Sequence, residues 1–334
     1  MAYVPLYPMR LRPALHTKVW GGRRLETLLN IPLPDEQQYG EAWIMHDTST
    51  VDTGTLRGMT VGEVLMHYGQ ELIGAGAAGS SSNPRDGMPL LAKFLDAFDW
   101  LSLQVHPNDA QARELDNESR GKTEAWYVIA TEPGSRLAIG IQPGHSREDV
   151  AAAIAENRLE AIMVYTEVQP GDVLFIEPGT IHALGPGILI YEIQQSSDLT
   201  YRLYDYGRPR PLHVEKGLKV ARTDYIPQIK HTGSDHTEVV EIVSCDYFTT
   251  RLYQLRVGDY LRADTRKLRF HILTCIEGEA IVEWGSRSHS VGMAMSMDSG
   301  DSVEMGIGQT VLVPASTGEF RVRGRGKVLQ SFQP

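Results

Sequence analysis

Four side chains of types that bind metal ions lie in three segments rich in strand-forming residues. Gln104 and His106 lie in LSLQVHPND, Glu124 lies in GKTEAWYVI, and His182 lies in EPGTIHALG. Because side chains alternate along a strand, Gln104 and His106 should point to the same face. Two imidazoles, a carboxylate and a carboxamide suit a borderline divalent ion such as zinc, with a further position for water or a substrate oxygen. The sequence therefore predicts one metal site shared by three strands.

A single histidine in an apolar strand is more often a hydrogen-bonded core residue than a metal ligand. The spacing from His106 to Glu124 to His182 is also a weak pattern by itself. The prediction depends on the four residues together and on the residues that flank them.

The composition indicates a soluble globular protein with more than one core. A chain of 334 residues is long for one compact domain, and its 42% apolar and 22% charged residues are ordinary values. The formal charge of −10 argues against non-specific binding of nucleic acid. An anionic substrate is still compatible with it if the site is locally basic.

The location and the partners are predicted from what the sequence does not contain. Residues 1–16 carry prolines and charges where an export signal needs an apolar stretch, and no segment approaches the ~20 apolar residues of a membrane-spanning helix. Cys245 and Cys275 are predicted to be buried free thiols, as in a reducing compartment. We expect a cytoplasmic monomer or small homo-oligomer that binds neither nucleic acid nor membrane.

Local patterns predict two helices and two irregular regions. The first forty residues are expected to form irregular chain and short strands, with Trp20-Gly21-Gly22 as a turn. Thr60 to Glu63 has the form of a capping box before a helix, and a second helix is predicted from Ser146 to about Ile162. The Gly/Ser-rich residues 74–87 are expected to form a mobile surface loop.

The remaining segments read as short strands with Gly-rich turns, and the tail echoes the earlier half. GDVLFI, residues 171–176, leads to a Pro/Gly turn and His182, whereas GQTVLV, residues 308–313, leads to Pro314 and then to Glu319 or its neighbours. We predict a mainly β protein of two related jelly-roll barrels with a small inserted helical region. Residues 1–226 would form the catalytic metal-binding domain, and residues 227–334 a degenerate domain without a metal site.

The sequence resembles the short bacterial form of type I phosphomannose isomerase, a family of the cupin superfamily. The resemblance covers nearly the whole chain and runs through WGGRRL, GEAW, PLLAKFLDA, LSLQVHPND, GKTEAWYVI, GDVLFIEPGTIHALGPG, YEIQQSSDLTYRLYDYGR and EGEAIVEWG. HPND, KTEAWY and QQSSDLTYRLYDYGR are specific to the family, whereas the Gly-to-His turn alone would indicate only a cupin. The resemblance implies two cupin-type jelly-roll barrels, one zinc ion per chain, and interconversion of mannose 6-phosphate and fructose 6-phosphate.

The resemblance also implies roles for individual residues. The zinc ligands of the family fall on Gln104, His106, Glu124 and His182. The catalytic positions fall on Arg202, Asp198 and Glu41, and the substrate and phosphate positions on Ser102, Lys93 and Lys122.

Two positions depart from related patterns. Many cupins have proline where Glu177 stands, and here the proline of the turn is Pro178. Longer family members have a tyrosine two residues after the last histidine, where this chain has Leu184. Leu184 is therefore given no role.

The implied reaction needs a base and a stabiliser of negative charge. Moving a proton between C1 and C2 passes through an enediol or enediolate, and Arg202 and a metal ion could stabilise the charge on oxygen. The base could be a histidine, a carboxylate such as Glu41 or Asp198, or a metal-bound water, and the sequence leaves these alternatives open.

Other functions remain compatible with the same residues. An iron or manganese dioxygenase or decarboxylase would use a comparable ligand set without a phosphate site. A sugar-binding or regulatory cupin would bind without turnover. An isomerase of another phosphosugar is a third alternative, because the shape of the pocket decides stereochemistry.

Overall fold

The computed structural model describes residues 4–76, 83–232, 239–285 and 301–334. Within them the chain is mainly β, as the sequence predicts. The strands are β1 Met9–Arg12, β2 Ala14–Gly22, β3 Tyr39–Met45, β4 Thr50–Val51, β5 Leu90–Ala97, β6 Leu103–Val105, β7 Glu124–Thr131, β8 Arg136–Ile141, β9 Met163–Glu167, β10 Asp172–Ile176, β11 His182–Ala183, β12 Ile188–Gln195, β13 Tyr201–Tyr204, β14 Lys230–His231, β15 Val239–Ser244, β16 Thr249–Leu255, β17 Tyr260–Asp264, β18 His271–Trp284, β19 Asp301–Gly306, β20 Thr310–Val313 and β21 Glu319–Phe332. The helices are α1 Arg24–Thr27, α2 Val61–Tyr68, α3 Gln70–Ile73, α4 Asp109–Asp116, α5 Arg147–Ala155 and α6 Val214–Val220.

Both predicted helices form, and the second is shorter than expected. Thr60 caps α2 by a reciprocal capping box with Glu63, and α2 ends before Gly69, whose φ is +51°. Ser146 caps α5 in the same way. The predicted helix to Ile162 is interrupted at Asn157, whose φ of +56° lies outside the helical range, and residues 159–162 form a separate 3₁₀ turn.

The prediction of a turn at Trp20-Gly21-Gly22 was wrong, because β2 continues through Gly22. A Cβ atom on Gly21 would lie 2.4 Å from the backbone nitrogen of Gly40 in β3. The glycine therefore serves close approach of two strands rather than a change of direction. In the predicted loop 74–87, residues 77–82 lie outside the described residues, and Pro84–Asp86 form a 3₁₀ turn.

Two facing antiparallel sheets form what we call the first barrel. One has seven strands in the order β14-β10-β7-β12-β5-β3-β2, and the other has five in the order β13-β6-β11-β8-β9. Buried side chains from both sheets, among them Leu95, Trp126, Ile139 and Leu184, form the core between them. The candidate site lies at one end of this core.

A nine-stranded sheet forms what we call the second barrel. Its central order is β15-β16-β21-β18-β20-β1-β4, with β17 paired to β21 and β19 paired to β18. The N-terminal strands β1 and β4 thus join the second barrel, whereas β14 joins the first. The chain thus crosses between the barrels near the start and near the end of the sequence segment that forms the first barrel.

The two barrels pack back to back through β12 and β21. A shared apolar core includes Tyr191 and Ile193 of β12 and Leu329 of β21. The Ser331 hydroxyl lies 2.9 Å from the Tyr191 hydroxyl and 2.8 Å from that of Thr250. Strand β12 therefore has the second barrel on one face and the candidate site on the other. In the described part of the chain, every helix is too short or too polar to cross a membrane.

Candidate metal and substrate site

The four predicted ligands come together where the two sheets of the first barrel meet. Gln104 in β6 lies directly opposite His182 in β11, His106 follows β6, and Glu124 begins β7 of the facing sheet. The candidate ligand atoms of His106, Glu124 and His182 all lie within 4.8 Å of one another, and the three residues are buried. The Gln104 amide nitrogen lies 3.5 Å from His182 Nε2. The predicted convergence of these residues is therefore present in the structure.

Backbone carbonyls set the orientation of both imidazoles. His106 Nδ1 is 2.9 Å from the Leu199 carbonyl oxygen, and His182 Nδ1 is 2.9 Å from that of Thr180. A carbonyl can only accept, so each Nδ1 carries a proton, and in the neutral ring Nε2 is then the unprotonated nitrogen with a lone pair. Burial, followed by the Lys122 charge, holds the pKa of His106 well below its usual range. Both histidines thus present the nitrogen that a metal ion needs.

The donor set fits a cation on a direct structural criterion. Glu124 Oε1 is buried without a hydrogen-bond donor in the described chain, and it lies 3.2 Å from His182 Nε2. With His182 in the form just described, two lone pairs face each other there, which a cation between them would stabilise. Burial raises the pKa of Glu124, but the Lys122 ammonium group outweighs it, and the net pKa lies well below its usual range. The carboxylate is therefore ionised.

Lys122 lies against the same ligands. Its ammonium group is 3.1 Å from His106 Nε2 and contacts Glu124 Oε2, and the side chain is buried. A positive charge thus already compensates part of the ligand set. An ion bound by the histidines and Glu124 would lie beside this ammonium group.

A row of charged side chains crosses the inner face of the seven-stranded sheet beside the ligands. Lys93 on β5 lies opposite Glu192 on β12 and opposite Trp43 on β3. Its ammonium nitrogen is 3.1 Å from Glu192 Oε1 and 3.9 Å from Glu41 Oε2. Glu192 Oε1 is in turn 3.9 Å from the ammonium nitrogen of Lys122. The row therefore joins Glu41 to the ligand group.

The charges in this row are fixed by their neighbours. Burial raises the pKa of Glu41, but Lys93 and Lys18 outweigh it and lower the pKa to about 2. Burial lowers the pKa of Lys93, but Glu192 and Glu41 outweigh it, so the net pKa is raised. Near neutral pH Glu41 is thus anionic and Lys93 cationic.

Glu192 was missing from the residues singled out in the sequence. It lies 2% exposed in ILIYEIQQ, a strand whose other members are also buried, and the Trp126 indole donates to its Oε2 at 2.8 Å. Burial, together with the charge of Glu124, raises its pKa. A lone acid in an otherwise uncharged strand was the available signal, because such a carboxyl needs a specific partner.

The remaining predicted residues take different positions. Arg202 on β13 lies opposite Gln104, so its side chain lies on the ligand-bearing face of that sheet. Ser102 donates to the Gln104 amide oxygen at 3.3 Å. Asp198 is exposed in the loop before β13, and its charge contributes to the raised pKa of Lys93. Ser102 and Arg202 therefore lie beside the ligands, and Asp198 lies at the outer side.

Residues of the HPND and QQSSD motifs hold the segment that leads to Glu124. Asp109 of HPND accepts from the Gly121 backbone at 2.7 Å, from Gln195 Nε2 at 2.9 Å and from the Tyr247 hydroxyl at 3.1 Å. Gln195 of QQSSD accepts from the backbone of Thr123 at 3.0 Å. These bonds fix residues 121–123, so Asp109 and Gln195 support the segment that leads to Glu124 without being ligands themselves.

Comparison with known proteins gives one consistent family. The family model described as "Phosphomannose isomerase type I, catalytic domain" matches residues 9–128. The mannose-6-phosphate isomerase ManA of Bacillus subtilis strain 168 is 32% identical, over 97% of this chain and 98% of its own. A mannose-6-phosphate isomerase of Streptococcus mutans is 38% identical, over 64% of this chain and 67% of its own.

Solved structures give the same result. The crystal structure of the mannose 6-phosphate isomerase from Bacillus subtilis superposes with a TM-score of 0.82 at 26% identity, and covers 98% of this chain and 99% of its own. A point mutant of the phosphomannose isomerase from Salmonella typhimurium has a TM-score of 0.78 at 14% identity and covers 98% of this chain and 100% of its own, a likeness of fold. The chain is an isomerase of the type I phosphomannose isomerase family.

Proposed function

We propose that this enzyme interconverts mannose 6-phosphate and fructose 6-phosphate, and that the reaction depends on one zinc ion per chain. The observation that carries the proposal is the buried group of His106, Glu124 and His182, in which two imidazole lone pairs and an unsatisfied carboxylate oxygen converge. The relatives named as mannose-6-phosphate isomerases supply the substrate. The proton would move between C1 and C2 through an enediol or enediolate.

His106, Glu124, His182 and Gln104 would hold the zinc ion, with Gln104 the weakest donor because it offers a neutral amide oxygen. When bound, zinc would supply Lewis-acid polarisation of sugar oxygens. The hydrogen bonds from both Nδ1 atoms to carbonyls would raise the basicity of the ligating nitrogens. The choice of zinc rests on the N/O donor mixture and on the family.

The chain's own residues would move the proton and stabilise negative charge. Arg202 is permanently charged and lies on the ligand-bearing face, which suits stabilisation of the enediolate. Glu41 and Asp198 remain candidates for acid–base roles, and we add Glu192. The raised pKa of Glu192 brings its carboxyl closer to the working pH, whereas the lowered pKa of Glu41 makes it a weak base.

Ser102, Lys93 and Lys122 are the proposed donors to the phosphate group. In and beside the site, carboxyl and cationic side chains are equal in number: Glu41, Glu124, Glu192 and Asp198 against Lys18, Lys93, Lys122 and Arg202. A divalent cation would therefore leave surplus positive charge. Such a surplus suits a phosphomonoester dianion and would explain how an acidic protein attracts an anionic substrate.

A coupled assay on the purified protein tests substrate and metal together. We expect fructose 6-phosphate to form from mannose 6-phosphate, activity to disappear on chelation, and zinc to restore it. Full activity in metal-free protein would overturn the zinc proposal. Oxygen uptake with iron, or sugar binding without turnover, would instead favour the redox or the regulatory alternative.

Three further features of the chain stay predictions. Residues 1–226 would form the catalytic domain and residues 227–334 the degenerate one, with β1, β4 and β14 exchanged across that boundary. The protein would be cytoplasmic. It would act as a monomer or small homo-oligomer.

A further inference from the structure

Arg202 is held by the C-terminal end of the loop that follows β13. Its backbone N–H donates to His213 Nδ1 at 3.2 Å, and the His213 backbone N–H donates to the Arg202 carbonyl at 2.7 Å. Its guanidinium Nη1 donates to the Pro211 carbonyl at 2.8 Å. The chain leaves β13 after Tyr204 and returns to Arg202 at Pro211, and we call residues 205–213 the strap.

Asp205 ties the strap together. Its side chain is buried, with 3% exposure, and accepts two bonds from Arg210, at 2.7 Å and 2.5 Å. Arg208 Nη2 lies 3.0 Å from Asp205 Oδ1 and also donates to the Trp100 carbonyl at 2.7 Å. Two parallel bonds between a guanidinium and a carboxylate fix distance and angle together. Asp205 therefore sets the position of Arg210, the residue directly before Pro211.

We propose that Asp205 is a positioning residue that holds the Arg202 guanidinium toward the sugar through Arg210 and the Pro211 carbonyl. The inference rests on the proposed role of Arg202. The contact sequence runs from the Asp205 carboxylate to Arg210, along the backbone to the Pro211 oxygen, and from there to Arg202 Nη1. Each link is a hydrogen bond or a covalent bond.

Charge gives Asp205 a second effect on Arg202. Arg208 and Arg210 lie close to Arg202. Burial lowers the pKa of Arg202, and the charge of Arg210 and, to a smaller extent, that of Arg208 lower it further. Asp205 is the buried anion between these cations. Without its charge the guanidinium groups of the strap would repel Arg202. Geometry and charge thus act on Arg202 in the same direction.

The test is Asp205→Asn, which keeps the shape of the side chain and removes its charge. We expect kcat to fall by about 10-fold to 100-fold, the usual cost of a displaced catalytic group. KM and bound zinc should change little. Asp99→Asn is the matched control, because Asp99 also faces Arg208, at 3.7 Å, but is exposed and has no contact with Arg210 or Pro211 among the described residues. Its kcat should stay at the wild-type value.

A double-mutant cycle separates positioning from a general structural effect. In an Arg202→Ala background, Asp205→Asn should cause no further loss of kcat, because the residue through which Asp205 acts is gone. Equal losses in both backgrounds, or unchanged kcat in Asp205→Asn alone, would overturn the proposal. If Asp205→Asn does not fold, Arg210→Gln breaks the same contact and is read in the same cycle. Wild-type turnover in Arg202→Ala would instead overturn the role of Arg202 in the proposed function.

Discussion

Glu124 in the first barrel and His271 in the second occupy the same place in the internal repeat. Glu124 begins β7 and pairs with Ile176, the last residue of β10. His271 begins β18 and pairs with Val313, the last residue of β20. The strands β10 and β20 are the GDVLFI and GQTVLV segments whose likeness was noted in the sequence. The strand pairing therefore confirms that the two segments are equivalent.

The neighbouring strands extend the equivalence. In the first barrel Glu192 pairs with Trp126 on one side and Lys93 on the other. In the second barrel Gln330 pairs with Leu273 and Arg251 in the same arrangement. The positions of Glu124, Glu192 and Lys93 in the first barrel are thus taken by His271, Gln330 and Arg251 in the second.

In the second barrel these replacements put a sealed core where the first barrel has its candidate ion site. Gln330 Nε2 donates to His271 Nδ1 at 2.8 Å, and the Tyr253 hydroxyl donates to the Gln330 amide oxygen at 2.6 Å. The Phe332 ring stacks on His271 at 4.8 Å and the Phe320 ring meets it edge-on at 5.5 Å. Across the described ranges, a group of metal-binding side chains occurs only in the first barrel. The common backbone permits either outcome, and the side chains of one row decide between them.

The sharpest test of this comparison replaces the two equivalent residues by the same side chain. Glu124→Gln should lose bound zinc and at least about 100-fold in turnover, because even the outer partners of a ligand are worth 10–100-fold. His271→Gln should keep both at wild-type values. Metal analysis and the coupled assay on each purified variant check the expectation. Zinc loss in His271→Gln would show that the second barrel takes part in the site.

A second pair compares the cations of the two rows. Lys93 is 3% exposed and lies between Glu192 and Glu41, so Lys93→Met removes the cation nearest to Glu192 and one of the two cations that compensate Glu41. The free energy of unfolding should fall by about 3–5 kcal/mol. Arg251→Met removes a side chain that is 40% exposed and pairs with Glu241, which is 48% exposed, so it should cost at most about 1 kcal/mol. Urea unfolding curves measure both, and equal losses would contradict the comparison.

The buried imidazole of the second barrel predicts a pH dependence of stability. Burial, then Arg269 and Arg251, lower the pKa of His271 from 6.5 to about 3. Because the pKa is lower in the folded state, the unfolded chain binds the proton first as the pH falls. The contribution of His271 to the free energy of unfolding is therefore complete above pH 6.5 and decreases as the pH falls toward 3. Between pH 8 and pH 5 the wild type should lose about 2 kcal/mol from this group.

His271→Gln should remove the pH dependence of stability that His271 causes. His67→Gln is the control, and because His67 is exposed, this variant should retain the pH dependence. Unfolding by urea at pH 8, 7, 6 and 5 gives the slope for all three proteins. Parallel slopes for the wild type and His271→Gln would mean that His271 is protonated in the folded state. The pH range of the experiment ends at 5, above the pH at which Glu41 titrates in the folded protein, because its pKa there is lowered from 4.5 to about 2.

The strands and the convergence of the candidate ligands could be predicted because their signals are local. Strand periodicity placed Gln104 and His106 on one face, and the capping box at Thr60 marked the start of α2. The helix α4 was not predicted, although Asn108 and Gln111 form a capping box, because its residues lack a strong apolar stripe. A short helix with few apolar residues, of which only Ala112 is buried, gives little signal of a buried face.

Features that depend on contacts between distant strands could not be predicted. Lys93, Glu192 and Glu41 are far apart in sequence, and only the strand order β12-β5-β3 places them in a row. The joining of β1 to β20 is likewise fixed by tertiary packing across nearly the whole chain. Gly21 and Gly22 suggested a turn. The close approach of β2 to β3 explains Gly21 instead.

The smallest effect concerns the contact that joins the two barrels. Ser331→Ala removes the hydroxyl that bonds both Tyr191 and Thr250, which should lower the free energy of unfolding by about 1 kcal/mol. Tyr191 is the neighbour of Glu192 on β12, yet their side chains point to opposite faces, so we expect kcat to stay unchanged.

Ser244→Ala is the control, because Ser244 makes its hydrogen bond to Thr249 within the second barrel. It should change neither kcat nor the contact at β12. A clear fall of kcat in Ser331→Ala but not in Ser244→Ala would show that the second barrel sets the orientation of Glu192. In that case the sealed barrel would be part of the catalytic apparatus, since the strand it supports carries a residue of the charged row.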